Sequence, residues 1–580
     1  MCGIIGGFGA KIGNIETAIK AIEHRGPDGT GIARLKNGFI GHTRLAIVDV
    51  AFGTQPLWNE TKTICAAVNG EFYDHNAWRK KLTKHQFSTN SDSELLIHLY
   101  EEYGVQMLQH LNGEFAFILY DQPKERWFIA RDRFGIRPLF YKRTASSLIA
   151  GSKASAVAAM YGEKLQVSRS ALAFASSNQY LPLGESWYEG INRLPAGHFL
   201  IGEQKQTNVH KYWELPKETA ESTASNDEAL DMFDRAVKRR IPNEVKAATH
   251  LSGGLDSSII SALARRHGIT QAYTVGFLGK DTYNEAAEAK ETADVLGINL
   301  EVVPVTQKDL YKNWGKAAIA GEDTFINGHG VAKYLLSQKI QQDGVKVVLT
   351  GEGADELFYG YAHLVQDYFK TPYSEHSIAG IHVPKAITGK GPSWLQAKLE
   401  LGAPLRNIFN FAEQPIPVNA SDVETSAATW IRYSLGGYIL QVLDDGMGMS
   451  HAVESRLPFL DVELVEWAKS HVRLDAHFCR GQEKPWLRQL FSGILPAKVI
   501  QRKKHPFMAP PTNSLLAGEN GKEIYDQILA NPLPSQDMVK TKMWLDALVS
   551  KAKAGEINPA DEPPFSTLLS LTYIQQDTGR

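Results

Sequence analysis

The pattern of apolar and polar positions changes character once along the chain, near residue 210. Before that point, short β-rich apolar runs alternate with turns, and few long helices occur. This pattern predicts antiparallel sheets with flanking helices. The predicted strands are 39–48, 63–68, 115–120 and 127–130, and the predicted helices are 17–23 and 93–103.

A polar stretch at 216–226 is typical of a linker, and strands and helices alternate after it. This alternation predicts a parallel sheet wound in βαβ units. Beyond residue 361 the pattern is mainly helical. We therefore expect a two-domain α/β protein, with domains at 1–210 and 211–580. In the second domain, the predicted strands are 247–251, 272–277, 299–304 and 345–350, and the predicted helices are 258–267, 284–296, 308–319 and 330–341.

The composition narrows the class of protein. The 580 residues include 62 basic and 64 acidic side chains, and this balance gives no support to nucleic acid or a membrane surface as partner. No apolar run reaches the roughly 18 residues that a membrane-spanning helix needs. The N-terminus lacks the basic region of a signal peptide. The three cysteines form neither a disulfide framework nor a zinc spacing. We expect a cytoplasmic protein that acts on small molecules.

Residues 252–258, Ser-Gly-Gly-Leu-Asp-Ser-Ser, lie between a predicted strand and a predicted helix. Small residues here let backbone amides, serine hydroxyls and a helix N-terminus converge on phosphate. No Gly-Lys-Ser/Thr closes the loop, so it is not a Walker motif. Asp256 would repel phosphate unless a cation lay between them, and it therefore indicates Mg²⁺. The alternative is a Gly/Ser turn that only caps the helix.

Cys2 is a second candidate for a catalytic residue. Initiator methionine is commonly removed before a small residue, and Cys2 would then carry both a thiol and a free α-amine. Such an amine has a reference pKa of about 7.7–8.0 and can act as the general base for its own thiol. A cysteine at position 2 is usually structural, so the interpretation depends on its context. That context is His-Arg-Gly-Pro-Asp-Gly at 24–29, Gly-His-Thr-Arg-Leu at 41–45, Asn-Gly-Glu at 69–71 and Ser-Asp at 91–92.

With these motifs, about 90 residues resemble the class II glutamine amidotransferases, which are N-terminal-nucleophile hydrolases with a four-layer αββα sandwich. The resemblance implies that Cys2 attacks the side-chain amide of glutamine. It implies that Asn69 and Gly70 stabilise the oxyanion, one through its side-chain amide and the other through its backbone N–H.

The resemblance also implies how glutamine is held. Arg44 would bind the α-carboxylate in a bidentate manner, and Glu71 and Asp92 would accept the α-ammonium. Each residue also has a structural interpretation, because Arg44 or Asp92 alone could form a surface ion pair. Asn69-Gly70 alone could form a hairpin turn.

The second half of the chain resembles the ATP-pyrophosphatase fold. Residues 251–258 look like its pyrophosphate loop, and Thr-Val-Gly-Phe at 274–277 looks like the strand whose backbone receives adenine. A second Gly-rich loop at 350–356 follows another apolar strand. The resemblance implies that Asp256 and Asp355 are Mg²⁺ ligands. It implies that ATP is bound by Leu251, Ser252, Gly253, Gly254, Asp256, Ser257, Ser258, Val275, Gly351 and Glu352.

Lys484 precedes Pro485, and proline is a favoured first residue of a helix. The resemblance implies that this lysine stabilises the charge on an acyl-adenylate and on the departing pyrophosphate. Residues 451–461 also fit the family pattern. The basic run at 502–504 is more typical of a solvated surface, and a role in phosphate binding is the alternative.

Taken together, nearly the whole chain resembles the glutamine-dependent asparagine synthetase family. The resemblance implies a glutamine-hydrolysing amidoligase that uses ATP and Mg²⁺. ATP would convert a carboxylate into an acyl-adenylate with release of pyrophosphate, and glutamine hydrolysis at Cys2 would supply ammonia through the protein interior. The amide and AMP would then form. The resemblance also allows a homodimer.

The sequence departs from the family pattern in regions that the resemblance places around the acceptor. Gly446 aligns with a position that is generally basic, and 322–330 lacks the usual Pro-Thr type of sequence. Tyr359 stands where glycine is common, and the segment between Tyr361 and Tyr438 is long. The acceptor is therefore either aspartate or another carboxylate, for example one from specialised metabolism.

Three other functions fit the motifs less well. Sugar-phosphate and phosphoribosyl amidotransferases do not need the loop at 252–258. A β-lactam synthetase-like ligase does not need the glutaminase residues. A non-catalytic relative would not need complete carboxylate and lysine sets.

Overall fold

A computed structural model provides the fold. It describes residues 2–9, 13–203, 206–219, 221, 225–279, 281–370, 377–378, 381–382, 392–418, 422–504 and 507–579. Residues 220 and 222–224 of the expected linker lie outside the described residues, as do parts of the long segment between Tyr361 and Tyr438.

Two antiparallel sheets of six strands each form the first half. Their strands are β1 (Gly3–Gly9), β2 (Gly29–Leu35), β3 (Gly38–Arg44), β4 (Leu57–Trp58), β5 (Ile64–Phe72), β6 (Gly113–Asp121), β7 (Arg126–Arg131), β8 (Phe140–Arg143), β9 (Ser147–Gly151), β10 (Asn192–Arg193), β11 (His198–Glu203) and β12 (Gln206–Lys211). The strand orders are β10-β8-β9-β1-β3-β2 and β12-β11-β7-β6-β5-β4. The helices are α1 (Ile15–Ile22), α2 (His75–Lys81), α3 (Leu95–Tyr103), α4 (Ala154–Tyr161) and α5 (Arg169–Asn178).

Both sheets are buried on both faces, because successive residues of a strand point to opposite sides. In β1, Ile4 packs between the sheets, whereas Ile5 belongs to the cluster that includes α1 and α4. In β6, Ile118 packs between the sheets and Phe117 packs with α3. The layers therefore run helix, sheet, sheet, helix, and the predicted αββα sandwich is confirmed.

The structure corrects the sequence prediction at three points. Strand β3 ends at Arg44 instead of residue 48, because the chain turns there into a loop. The hairpin-turn interpretation of Asn69-Gly70 is wrong, since both residues lie inside β5. The pattern does not predict β1, whose glycine-rich sequence has low β propensity, but pairing with β3 and β9 on its two sides holds it in the sheet.

A parallel sheet of order β15-β14-β13-β16-β19 organises the second half, with helices on both faces as predicted. Its strands are β13 (Ala247–His250), β14 (Gln271–Phe277), β15 (Asn299–Val305), β16 (Val347–Leu349) and β19 (Glu454–Arg456). Helix α7 (Leu255–Arg266) packs with Val347 and Leu349 on one face. Helix α10 (His329–Gln342) packs with Val348 on the other.

The remaining elements are mainly helical, as the sequence predicts. The other helices are α6 (Asn226–Lys238), α8 (Ala286–Leu296), α9 (Gln307–Gly321), α11 (Ala354–Leu357), α12 (Ala362–Phe369), α13 (Ser393–Phe409), α14 (Val423–Trp430), α15 (Met447–Met449), α16 (Val462–His471), α17 (Pro485–Leu490), α18 (Ala497–Gln501), α19 (Gly521–Ala530), α20 (Met538–Ala554) and α21 (Glu562–Gly579). A π-helical segment spans Ile431–Gly446, and short strand pairs are β17 (Ser377–Ile378) with β18 (Ile381–His382) and β20 (Phe478–Cys479) with β21 (Gln482–Glu483). None of the described helices combines the length and apolarity that crossing a bilayer requires.

Buried ion pairs join the two halves. Glu114 of β6 accepts hydrogen bonds from Arg137 at 2.7 Å and from Arg240 of the second half at 2.9 Å. It also accepts from the backbone N–H of Leu457 at 3.1 Å. All three side chains of this ion-pair group are about 1% exposed, so neither arginine can find water if the carboxylate is lost.

Replacing Glu114 by alanine should therefore destabilise the protein strongly. The Glu114→Ala variant leaves two buried guanidinium groups without this partner, and we expect its free energy of unfolding to fall by about 3–5 kcal/mol. Chemical denaturation followed by circular dichroism measures this change. The matched control is Glu16→Ala, which removes an ion pair with Arg34 whose side chains are 72% and 68% exposed. This control should cost no more than about 1 kcal/mol. Equal losses in the two variants would contradict the role of the buried group.

Candidate active site

The αββα sandwich places Cys2 beside the residues that its sequence motifs predict to act with it. Cys2 lies just before β1 of one sheet, and Asn69 lies in β5 of the other. The backbone N–H of Cys2 donates to Oδ1 of Asn69 at 3.1 Å. Nδ2 of Asn69 is buried and has no hydrogen-bond partner among the described residues, so this donor is available to an oxyanion beside Cys2.

The next residue, Gly70, needs to be glycine for two reasons. Its φ is +143°, which L side chains rarely adopt. A Cβ there would also lie 2.0 Å from the backbone oxygen of Glu114. The close pairing of β5 with β6 thus depends on the absence of a side chain at this position.

Five of the predicted glutaminase residues line one small cleft, whose volume of about 30 Å³ holds about two water molecules. They are Cys2, Arg44, Gly70, Glu71 and Asp92. The loop that follows β3 forms one wall of the cleft, and its side chains at Val50 and Phe52 are exposed to solvent.

Backbone contacts hold the charged residues of the cleft. The guanidinium of Arg44 donates to the carbonyl oxygens of Val48, Asp49 and Val50 at 2.6–3.2 Å. Asp92 accepts from the backbone N–H of Phe72 at 2.8 Å. The cation and the carboxylate are therefore fixed by backbone before a ligand binds.

Burial dominates the electrostatics of this cleft. It raises the pKa of the Cys2 thiol, so the nucleophile needs a base to become a thiolate. It also raises the pKa of Asp92, and it raises the pKa of Glu71 to about 8 although Arg456 opposes this change. Carboxylates that burial destabilises gain most from a bound cation, which suits them to an α-ammonium group.

The second half of the chain completes the cleft, which the sequence did not predict. Glu454 of β19 lines it, and Arg456 of the same strand is ion-paired with Glu71. Arg25 donates from Nε to the carbonyl oxygen of Cys2 at 3.1 Å and forms a bidentate pair with Asp445 at 2.8 and 3.0 Å. Only the docking of the halves reveals Asp445, Glu454 and Arg456, because they are remote from Cys2 in sequence.

The loop at 252–258 lies at the carboxyl end of β13, where α7 begins. Gly253 has a φ of +78°, and a Cβ there would lie 2.7 Å from the carbonyl oxygen of Glu288, so glycine is required. Most of the predicted ATP residues line a cavity of about 560 Å³: Leu251, Ser252, Gly254, Asp256, Ser257, Val275, Gly351 and Glu352. Gly253 and Ser258 do not line it. The buried hydroxyl of Ser258 donates to the carbonyl oxygen of Gly254 at 2.6 Å and shapes the loop instead.

The two predicted loops touch each other. A Cβ on Gly351 would lie 2.9 Å from the backbone of Asp256. Nζ of Lys484, the residue before α17, lies 2.5 and 2.6 Å from the carboxylate oxygens of Asp256 and 2.6 Å from Asp355. An ammonium group thus stands where both carboxylates converge, and the oxygen donors fit a hard cation such as Mg²⁺.

The basic run at 502–504 is only partly a solvated surface, which corrects the sequence interpretation: Lys503 is exposed, whereas Arg502 and Lys504 are partly buried. Lys504 forms an ion pair with Asp355, and Arg502 donates to the carbonyl oxygen of Gly253. Despite burial, Lys484 and Lys504 hold the pKa of Asp355 well below its usual range. These cations line the cavity beside the loops, which suits them to phosphate.

A second part of the cavity is aromatic. We call it the aromatic compartment; it is lined by Tyr180, Tyr361, His363, Trp430 and Tyr438, with Lys398 as its cation. Tyr361 connects it to the phosphate side, because its ring lies 5.3 Å from Nζ of Lys504 and 5.1 Å from the ring of Trp430. Tyr180 belongs to the first half of the chain, so both halves build this compartment.

The positions at which the sequence departs from the family pattern fall into two groups in the structure. Tyr359 does not line the cavity; its hydroxyl donates to Glu218 at 3.2 Å. Gly446 does not line it either. In contrast, Ile326 and His329 do, as do the described residues of the long segment that form the aromatic compartment. The long segment therefore contributes directly to the aromatic compartment of the cavity.

Comparison with known proteins agrees with this architecture. The model of the glutamine amidotransferase domain matches residues 1–213, and the model of the asparagine synthase family matches residues 228–572. Amidase chry2 of Gibberella zeae is 28% identical, over 86% of this chain and 85% of that protein. Asparagine synthetase [glutamine-hydrolyzing] 3 of Bacillus subtilis is 30% identical over 87% of each chain. Amidase chyE of Penicillium rubens is 27% identical over 79% of this chain and 78% of that protein. The chain belongs to the asparagine synthase family.

Proposed function

We propose that this protein hydrolyses glutamine at Cys2 and transfers the ammonia to a carboxylic acid that ATP has activated. The observation that carries the proposal is a line of buried polar contacts between cleft and cavity. Arg25 links the carbonyl of Cys2 to Asp445. The neighbouring Asp444 binds Lys333 at 3.0 Å, and Lys333 binds Glu352 of the second loop at 2.8 Å.

In the cleft, the thiol of Cys2 would attack the amide carbon of glutamine. Removal of Met1 would expose the α-amine as the base that takes the thiol proton. Nδ2 of Asn69 and the N–H of Gly70 would stabilise the oxyanion. The carbon–nitrogen bond then breaks, ammonia leaves, and water hydrolyses the thioester to glutamate.

In the cavity, a carboxylate oxygen of the acceptor would attack the α-phosphorus of ATP. The bond to the β-phosphate breaks and pyrophosphate leaves. Lys484 and Lys504 would stabilise the charge on phosphate oxygens. Mg²⁺, held by Asp256 and Asp355, would neutralise the triphosphate. Ammonia then attacks the acyl carbon, and AMP departs as the amide forms.

The aromatic compartment favours an acceptor other than aspartate. Its cation, Lys398, donates to Oε1 of Gln179 at 2.6 Å, and its Nζ lies 4.9 Å from the ring of Tyr180 and 5.9 Å from that of Trp430. No carboxylate among the described residues forms an ion pair with Lys398. Nε1 of Trp430 and Nε2 of His363 also lack hydrogen-bond partners within the described part of the chain.

This compartment suits a flat, largely apolar carboxylic acid with a polar group that reaches Lys398. Burial lowers the pKa of Lys398 to about 7, so a charged or hydrogen-bonding ligand group would compensate an amine that the protein leaves without a counter-charge. Two relatives named above are amidases rather than asparagine synthetases, which agrees with a different acceptor. The three cysteines are free thiols, two buried and Cys479 exposed, which fits a cytoplasmic enzyme.

A screen of acceptors tests this assignment. Pyrophosphate release is measured with ATP, glutamine and either aspartate or a panel of benzoic, cinnamic and indole carboxylic acids. We expect an aromatic acid to give the highest kcat/KM and an amide product. Asparagine formation from aspartate with a higher kcat/KM than any aromatic acid would instead support asparagine synthetase.

Cys2→Ala should remove glutamine-dependent amide formation, because no other described thiol lies in the cleft. Activity with added ammonium should persist at a comparable kcat. Cys65→Ala is the matched control, since Cys65 is buried between the sheets of the same half and should leave glutamine use intact. Loss of the ammonium-dependent activity in Cys2→Ala would contradict the division of labour between cleft and cavity.

Asp256→Asn should abolish pyrophosphate release, because the change removes a negative oxygen donor from the proposed cation position. Basal glutaminase activity should remain, since Asp256 does not line the cleft. The control is Asp294→Asn, an exposed aspartate on α8. Pyrophosphate release by Asp256→Asn at the wild-type rate would exclude the role of Asp256.

The Lys398→Met variant tests whether Lys398 binds the acceptor, because its effect on the KM of the acceptor can be distinguished from an effect on protein stability. The change removes a buried amine while keeping its volume, so the melting temperature should stay the same or rise. The KM of the acceptor found in the screen should rise about 10- to 100-fold, because a charge-assisted hydrogen bond is lost. The KM for glutamine and ATP should not change. An unchanged acceptor KM would show that Lys398 does not contact the acceptor.

A further inference from the structure

A cluster of histidines and glutamates lies outside both the cleft and the cavity. It contains Glu60, His85, His98 and Glu101, and one potential ligand atom from each residue lies within 4.8 Å of all the others. Glu60 follows β4, His85 follows α2, and His98 and Glu101 lie one turn apart on α3. Three separate segments of the first half therefore bring nitrogen and oxygen donors to one point.

The distances between the donor atoms fit a tetrahedral ion. With metal–ligand bonds of about 2.0–2.2 Å, the edges of a tetrahedron are roughly 3.3–3.6 Å. Nδ1 of His85 lies 3.5 Å from Oε1 of Glu60 and 3.5 Å from Oε2 of Glu101. Nδ1 of His98 lies 3.1 Å from Oε2 of Glu101 and 3.9 Å from Oε2 of Glu60. The two histidines approach different oxygens of Glu60, so a rotation of that carboxylate would present one oxygen to both imidazoles around one ion.

The opposite nitrogen of each imidazole faces a further carboxylate. Nε2 of His85 lies within hydrogen-bond distance of Glu102, at 3.3 Å, whereas Nε2 of His98 lies 3.6 Å from Glu94 and has no hydrogen-bond partner among the described residues. A metal-bound histidine usually donates its other N–H to such a group, which fixes the tautomer and the ring orientation. His98 is fully buried, so its orientation is also set by packing.

The remaining carboxylate contacts also fit a bound ion. Oε1 of Glu101 accepts from Nδ2 of Asn59 at 2.8 Å, which leaves Oε2 to face the histidines. Oε1 of Glu60, the oxygen nearer His85, accepts from the backbone N–H of Gln86 at 2.8 Å, and Oε2 faces His98. Each glutamate is thus held by a second hydrogen bond, as ligating carboxylates generally are.

We propose that Glu60, His85, His98 and Glu101 bind one divalent transition-metal ion of the Zn²⁺ type. Two imidazoles and two carboxylates suit zinc better than the all-oxygen ligation that Mg²⁺ and Ca²⁺ prefer. Four protein ligands leave no open position, so the site is structural rather than catalytic. This inference does not depend on the proposed function.

The ion would fasten the segment that leads into the glutamine cleft. Glu94, beside His98, also accepts hydrogen bonds from the backbone N–H groups of Ser88 at 2.6 Å and Thr89 at 2.7 Å. Asp92 of the cleft follows three residues after Thr89. The site therefore joins the loop 85–92 to α3 and to the β4–β5 turn.

The test uses the full-length protein, stripped with a chelator and equilibrated with ZnCl₂ or CoCl₂. We expect one equivalent of zinc by elemental analysis after gel filtration, a higher melting temperature, and the strong visible absorption of tetrahedral Co²⁺. The variants His85→Gln and Glu101→Gln should bind at least about tenfold more weakly, because each loses a ligand. Both positions are partly exposed, so the fold should tolerate the change, and circular dichroism checks this.

The matched control is His210→Gln, an exposed histidine on β12. Strand β12 lies at the edge of the same sheet opposite to β4, so this variant should bind zinc like the wild type. The competing interpretation is that protonated imidazoles simply form ion pairs with the glutamates. Absence of stoichiometric zinc in the folded wild type, or equal zinc affinity in wild type, His85→Gln and Glu101→Gln, would overturn the metal site.

Discussion

Charges that are buried where the two halves meet are the constraint on which the rest of this structure depends. Arg456 is completely buried and binds Glu71 of the first half, Glu454 at 2.7 Å and the carbonyl oxygen of Arg240 at 2.8 Å. A guanidinium in this position is tolerated only while all of these partners surround it. The two halves must therefore stay docked, and the cleft at Cys2, which Glu454 of the second half helps to line, exists in this form only in the docked state.

The π-helical segment Ile431–Gly446 connects the two sites. Asp445 reaches towards Cys2 through Arg25, and Asp444 reaches towards Glu352 through Lys333. The same segment contributes Tyr438 to the aromatic compartment, where its hydroxyl lies 3.1 Å from Nε2 of His329. π-helical turns are rare and often occur at functional sites. One element thus contacts the cleft, the second Gly-rich loop and the aromatic compartment.

The sequence predicted those parts of the site that lie in compact motifs. The loop at 252–258 combines a strand end, two glycines and a helix start within a few residues, so local rules suffice to identify it. Residues that lie outside any sequence motif were not predicted, or their environment was predicted wrongly. Lys504 resembles a solvated lysine in sequence, and its role depends on the distant Asp355. Lys398 has no motif at all, and only the packing of α13 places it among aromatic rings.

By itself, the sequence pattern predicted antiparallel sheets with flanking helices followed by a parallel sheet, because periodicity is a local property. Its short motifs supplied the family resemblance that implies the αββα sandwich, a nucleophilic Cys2 and an ATP loop at 252–258. The tertiary structure decided which buried charges meet across the halves, since burial makes each unpaired charge costly and selects its partner. It also decided the chemistry of the aromatic compartment and the convergence of His85 and His98 with their glutamates. These groups come from segments that are distant in sequence, and their meeting depends on the packing of the whole chain.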